Sequence, residues 1–218
     1  IGFPSERIVY MLPLILKPLK DRYPGIDVEV STGPGNHLIA DLKAGNVDFV
    51  FLPYWNPIKD IVQVQIVEEE LILVAAKGYL PEDCFLDREK KIINWRETAK
   101  LPLITLKKGH ALRSSVDVLY TNAELKPDIF FESHSNMLSY RLAAQGLGVA
   151  VIPEITLELM EGGMEAEAYH LSDTPVQWPV MALYREGCYI GEVEQALLDI
   201  AKETMQAHKK MLWDLFIK

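Results

Sequence analysis

Short apolar runs of strand length alternate along this chain with stretches whose apolar residues recur every three or four positions, and Gly or Pro stands at many of the joins. The first rhythm suits strands, the second helices packed on one face. Ile1 to Phe3 reads as a strand broken by Pro4, after which Ser5 is placed to cap a helix running to about Tyr23, with Tyr10, Leu14 and Leu19 among its apolar positions. Pro24 and Gly25 end it. Ile26 to Val30 alternates apolar residues with Asp27 and Glu29 and predicts a strand. The turn TGPGN, Thr32 to Asn36, then opens a short helix with Leu38, Ile39 and Leu42 inward and Gly45 at its end, and Val47 to Leu52 is the next apolar strand. Strand, helix, strand, helix, strand in that order implies a parallel sheet with helices on its faces.

Val62, Val64 and Ile66 alternate with Gln63 and Gln65, as in a half-exposed strand, whereas Leu71 to Ala76 is apolar throughout, as in a buried one. Gly78, Pro81 and the charged segment Asp83 to Lys91 shift the composition and are read as a crossing into a second subdomain. There Trp95 to Lys100 predicts a short helix, Leu103 to Leu106 a strand, and Leu112, Val116, Leu119 and Tyr120 one face of a longer helix. The stretch Phe130 to Pro153 compresses a strand, a polar turn, a helix, a glycine turn and a second strand. Its aromatic run ending at Phe131 is expected to be buried, Ser133 or Ser135 to cap a helix whose apolar face is Leu138, Leu142 and Ala143, and Gly148 to Ile152 to form the second strand after Gly146. Beyond it a short helix with Ile155, Leu157 and Leu159 should stop at Gly162 and Gly163. Tyr169 to Leu171 and Trp178 to Tyr184 read as strands, and a long helix carries Val193, Leu197, Ile200 and Ala201.

If the chain leaves the first sheet near Lys77 and returns near Trp178, residues 1–77 plus 178–218 form one Rossmann-like subdomain and 78–177 the other. The expected fold class is therefore α/β, two Rossmann-like subdomains joined by two crossings, with strand ends from both sheets facing one ligand cleft.

Composition narrows the chemistry. The 218 residues, 49% hydrophobic and 24% charged, suffice for one large domain or two small ones. A net charge of −9 argues against this chain gripping a nucleic-acid backbone by itself. Two cysteines, Cys84 and Cys188, without a CxxC pattern, indicate neither a disulfide framework nor a thiolate metal site, and they suit a reducing, cytoplasmic setting. No apolar run reaches the roughly 18 residues of a membrane span, so no membrane partner is expected. Ile1 is not a start methionine and opens as though mid-strand, so a preceding segment is expected. The five histidines show no HExxH or other close metal spacing, no GxSxG surrounds a serine, Cys84 lies in a charged segment expected to be exposed, and Glu68 to Glu70 read as a solvated face. The expectation is no metal, no cofactor and no enzyme. GLGVAV, Gly146 to Val151, lacks the third glycine of a dinucleotide fingerprint and runs helix, glycine, strand, the order of packing rather than of phosphate cradling. TGPGN lacks the GK pair of a nucleotide loop, and two readings stand, a plain turn or one presenting amides to an anion.

Four turns share one position: Pro4 to Arg7, Asn36 and His37, Lys107 to His110, and His134 to Asn136 each follow a predicted strand and open a helix. In a parallel sheet that is the ligand edge. Helix amides with His37, Lys107, Lys108 and His110 would make it electropositive inside an acidic protein, suited to a small anion such as a carboxylate. The candidate ligand-binding residues are Ser5, Glu6, Asn36, His37, Lys107, Gly109, His110, His134, Ser135 and Asn136. Tyr54 and Trp55 either close over a ligand or pack into the core.

The opening IG strand, LPLILKPLKDRYPGIDVEV, GPGNHLIADLKAGNVDFVFL, EEELILVAAKG, LPLI and LAAQGLGVAVIP resemble, in order and spacing, the effector-binding domain of LysR-type transcriptional regulators over nearly the whole chain. The resemblance implies a fold like that of type 2 periplasmic solute-binding proteins and a sensing rather than catalytic role. It also implies a small-molecule effector at the ten residues above, assembly into a homodimer or homotetramer, and DNA contact only through the family's amino-terminal winged helix-turn-helix, which is absent here. The rival reading on the same scaffold is a free-standing solute-binding protein of a transporter. One departure is visible: many members place Ser or Thr pairs in the first loop, where this chain has Ser5, Glu6 and Arg7, and Glu6 would repel an anion unless Arg7 pairs with it.

Overall fold

A computed structural model of the chain describes residues 1–160, 166–172 and 176–216. They fall into two compact units, Ile1–Glu68 with Pro179–Lys210, and Glu69–Trp178 with the segment from Met211. Along the chain the division comes at Glu68 and Glu69, where the composition shift suggests Lys77, and at Trp178 and Pro179.

In the first unit the parallel strands β1 (Gly2–Phe3), β2 (Ser31–Thr32) and β3 (Val50–Pro53) lie in the order β2, β1, β3. Val180 to Leu183 of β11 (Val176–Arg185) pair antiparallel with β3. The expected strand over Ile26 to Val30 is not formed. The ladder with β1 begins at Ser31, and of the residues before it Glu29 meets Ile1, its carbonyl accepting from the Ile1 amino group at 2.7 Å. Helix α1 (Arg7–Arg22) buries Arg7, Tyr10, Met11, Ile15 and Leu19. Leu14 is only half-buried. That stripe of fours carries the helix past Pro13 and Pro18, each a local cost of about 3 kcal/mol in a helix interior. Ser5 is not its cap: Glu6 holds that position without a side-chain cap bond. Helix α2 (Gly35–Ala44) buries Leu38 and Leu42 against Val50, Leu52 and Leu183, and Gly45 closes it with φ +81°. Phe3 stacks on Phe51 at 5.1 Å. Helix α6 (Glu192–Phe216) is the last of the described elements.

Strand β4 (Ile61–Ala76) is a single 16-residue strand where the pattern predicts two, and its second half is the spine of the second unit. On one side it pairs antiparallel with β9 (Val149–Pro153), on the other with β10 (Ala166–His170). Glu69 and Glu70, just before these pairings begin, are buried and not the solvated face expected. Glu70 Oε1 meets His170 Nδ1 at 2.9 Å, and the Glu70 amide donates to Glu154 Oε1 at 3.0 Å. The charged segment that suggests a crossing is a small hairpin, β5 (Phe85–Asp87) with β6 (Ile92–Ile93), preceded by a 3₁₀ turn that buries Cys84. After a short helix α3 (Trp95–Thr98), β7 (Leu103–Leu106) pairs in parallel with β8 (Ile129–Ser133) on one side and β9 on the other.

Helix α4 (Ala111–Asn122) buries Leu112, Val116 and Tyr120, and α5 (Asn136–Ala144) buries Ser139, Tyr140, Ala143 and Ala144. The crossover β8, α5, β9 is thus parallel as expected, with two corrections. Strand β8 lies at the sheet edge, so Phe130 and Phe131 are 55% and 40% exposed instead of buried. Helix α5 is turned so that Tyr140, not Leu138, enters the core. The helix expected after Pro153 is a 3₁₀ segment, Glu154–Met160, with Ile155 and Leu157 buried; its expected stop at Gly162 and Gly163 lies outside the described residues, as does the Leu159 side chain.

The glycine turn Gly146 to Gly148 serves packing. Gly148 has φ +153°, and a Cβ there would lie 2.3 Å from the Pro102 carbonyl oxygen, the acceptor of the Val149 amide at 2.9 Å. Gly148→Ala is therefore expected to lower unfolding free energy in urea by about 3 kcal/mol or more, while Gly25→Ala, in open space, changes it by less than about 1 kcal/mol.

Candidate functional site

Each unit brings two of the candidate turns together. In the first, β1 leads into Pro4 to Glu6 and β2 into Gly33 to His37, and the Gly33 amide donates to the Phe3 carbonyl at 3.3 Å, which holds the two turns side by side. Ser5 is exposed and Glu6 half-buried, while the buried Arg7 begins α1. Asn36 and His37 are exposed on the first turn of α2, with Pro34 in the cap position. Parallel β3 ends at the same edge in Tyr54, which packs partly against the core under α2, and Trp55, which is 50% exposed. Tyr54 thus follows the packing reading and Trp55 does not.

The second unit holds the better defined pair. Leu106 stands opposite Ser133 in the β7–β8 ladder, and the Lys107 amide extends it by donating to the Ser133 carbonyl at 2.9 Å. The turn Lys107 to His110 depends on Gly109, whose φ of +96° suits only glycine, and His110 takes the cap position of α4 without a side-chain cap bond. Ser133 folds the other turn: its hydroxyl accepts from the Ser135 amide and donates to the Ser135 carbonyl, both at 2.9 Å. Ser135 Oγ then accepts from the Leu138 amide at 3.2 Å, the side-chain N-cap of α5. The result brings His110 and His134 to 6.3 Å between ring centroids, edge to face. Lys107 and Lys108 are exposed beside them, and Asn136 is half-buried at the first position of α5.

Beneath these turns lies a residue that the sequence pattern does not single out. Arg113, 4% exposed, donates to the Leu106 carbonyl at 2.9 Å, to Glu132 at 2.5 Å and to Asp117 at 2.8 Å. It joins the carboxyl ends of β7 and β8 where both turns begin. Burial opposes its charge, but the bonds to Asp117 and Glu132 outweigh that and hold the guanidinium above its ordinary value. The only signal in the sequence is an Arg and an Asp four apart on a helix, a spacing shared by many surface pairs. Ser133, in sequence no more than an alternative cap, proves to be the residue that folds the turn.

The described residues include no group of three His, Cys, Asp or Glu placed to hold a metal, and no helix long and apolar enough to cross a membrane. A cavity of about 480 Å³ in the first unit lies at the amino ends of β1 and β3, away from the turns, and is lined by Asp27, Glu29, Asp48 and Glu194, a set that disfavours anions.

Comparison with known proteins bears on the family and the fold. The family model described as the LysR substrate binding domain matches residues 1–206. The HTH-type transcriptional regulator SoxR of Arthrobacter sp. is 23% identical over 93% of this chain and 66% of its own length. Across the first curated relatives it matches, the chain spans 51% to 66% of their length. Among solved structures, OxyR of Corynebacterium glutamicum shares the fold at a TM-score of 0.83 and 18% identity, over 98% of this chain and 65% of that one. The effector-binding domain of QuiR does so at 0.73 and 18%, over 95% and 96%.

Arg113→Ala is expected to cost about 2 kcal/mol of stability, because it deletes a buried three-way bond, and Arg113→Lys to recover only part, since an ammonium lacks the fork. Removing the exposed Lys17–Asp21 pair should change stability by less than about 0.5 kcal/mol in the same thermal and urea series.

Proposed function

The chain belongs to the LysR substrate-binding-domain family, whose relatives here are transcription regulators and not enzymes, and on that premise we propose that it is the effector-sensing domain of such a regulator, binding a small anionic metabolite at the helix-opening turns. The observation that carries the reading is the junction of Lys107 to His110 with His134 to Asn136. Two helix amino termini, two imidazoles and two lysines are gathered there by the Lys107–Ser133 bond. We propose Lys107, Gly109, His110, His134, Ser135 and Asn136 as contacts in the second unit, and Ser5, Glu6, Asn36 and His37 as the corresponding contacts in the first.

The effector-binding domain of QuiR was solved with shikimate, a carboxylate, which suits an anion reading. An OxyR structure was solved with H₂O₂ bound, and a thiol sensor of that oxidant would need an accessible, easily ionised cysteine. Cys84 is the opposite: it is buried, and burial pushes its thiol up. Cys188 lies in the turn after β11 and on none of the four candidate turns. A metabolite is thus favoured over a peroxide.

DNA contact is proposed for a part of the regulator beyond this acidic chain, as the HTH-type names and greater length of the relatives suggest. The parent regulator is proposed to act in the cytoplasm as a homodimer or homotetramer. Strand β8 supports self-association, since among the described residues it pairs with β7 alone and Ile129, Phe130 and Phe131 are exposed.

Thermal-shift and calorimetric screening of carboxylates and amino acids should find a ligand whose affinity falls at least about tenfold in the Ser135→Ala, Asn136→Ala double variant; equal binding by that variant would remove the turns from the site. Ser135→Ala alone should cost about 1 kcal/mol of stability through its lost cap, so affinity is compared well below the melting temperature. In analytical ultracentrifugation, Phe130→Asp should shift the chain toward monomer, and an unchanged association constant would exclude the β8 edge as the contact.

A further inference from the structure

An anion held by the turns of the second unit meets two imidazoles, and a role for them in holding it rests on that site being the effector site. The rings of His110 and His134 lie 6.3 Å apart, edge to face, on turns locked to each other by the Lys107–Ser133 bond. The charged groups on the elements packed around them are Lys107 and Lys108 on the same turn, Arg113 and Asp117 on α4, Glu132 on β8 and Arg141 on α5. Both acids among them are engaged by Arg113, Asp117 at 2.8 Å and Glu132 at 2.5 Å. Their two charges share the single charge of Arg113, and Lys107, Lys108 and the amino termini of α4 and α5 stand on the same turns as the imidazoles. An oxyanion between or beside the rings favours their protonated form, because a protonated imidazole has two N–H donors and forms a charge-assisted bond to it. Binding and protonation then support each other by equal amounts.

We infer that the effector is an oxyanion of the carboxylate, phosphate or sulfate type, taken up together with a proton carried by the His110–His134 pair. The complex holds more protons than the free domain, so binding tightens as pH falls through the imidazole range and weakens as pH rises, for as long as the anion keeps its own charge.

Sulfate is the probe, because it stays doubly charged throughout the imidazole titration. The 218-residue chain is titrated by NMR in sulfate and in chloride at equal ionic strength, with the two ring signals assigned from His110→Gln and His134→Gln. The expected result is an upward movement of both ring midpoints in sulfate by about half a unit, equivalent to about threefold in linked affinity per ring. If the amides of Lys107 to His110 and His134 to Asn136 respond to sulfate while the ring midpoints stay fixed, proton linkage is wrong and the anion site survives. If neither amides nor rings respond, the oxyanion reading of the site falls with it.

Discussion

The parallel pairing of β7 with β8, carried one bond further by the Lys107 amide on the Ser133 carbonyl, is the constraint on which the site in the second unit depends. Parallel neighbours end at the same edge, so the turns after them open side by side, and each turn is at once the start of a helix. Nothing in either turn alone would bring His110 to His134. Arg113 reinforces the junction from below by bonding the last carbonyl of β7 and a side chain of β8 with one rigid fork. A buried guanidinium with three partners is costly to form and costly to disturb, which makes it a device for position more than for stability.

The other face of the same architecture is the glycine turn. Gly148 lets the return strand β9 enter against the Pro102 backbone, so that β7 gains a parallel neighbour on its second side. With both edges of β7 taken, β8 becomes the outer strand, and its aromatic residues are left in solvent. The exposed phenylalanines and the site are consequences of one strand order. On β4, the strand beyond β9, Glu69 and Glu70 are buried, and Glu70 meets His170.

Much of this is legible along the chain. The helix-opening turns, the cap at Ser135, the stop at Gly45 and the packing role of the Gly146 to Gly148 turn rest on rules that act over four or five residues, and local signals suffice for those. The features that sequence patterns misplace involve neighbours distant in sequence. The run at Phe130 looks like core because apolar strands usually are, and only the edge position of β8 makes it surface. Cys84 and the Glu69–Glu70 pair look exposed because their sequence neighbours are charged, and only the elements packed across them bury them. Ile26 to Val30 has strand periodicity, but the ladder with β1 begins only at Ser31, and periodicity without ladder pairing forms no strand.

The sequence by itself determined the element types, the α/β class, the family and the places where strand gives way to helix, because periodicity, capping and turn chemistry are encoded within a few residues of where they act. Only the tertiary structure decided which strands are central, which side chains stand over the turns and that Arg113, one helix turn past His110, is the residue beneath them. Those facts come from pairings between residues 19 to 100 positions apart, such as Glu132 with Arg113 and His170 with Glu70, and no local pattern along one chain specifies them.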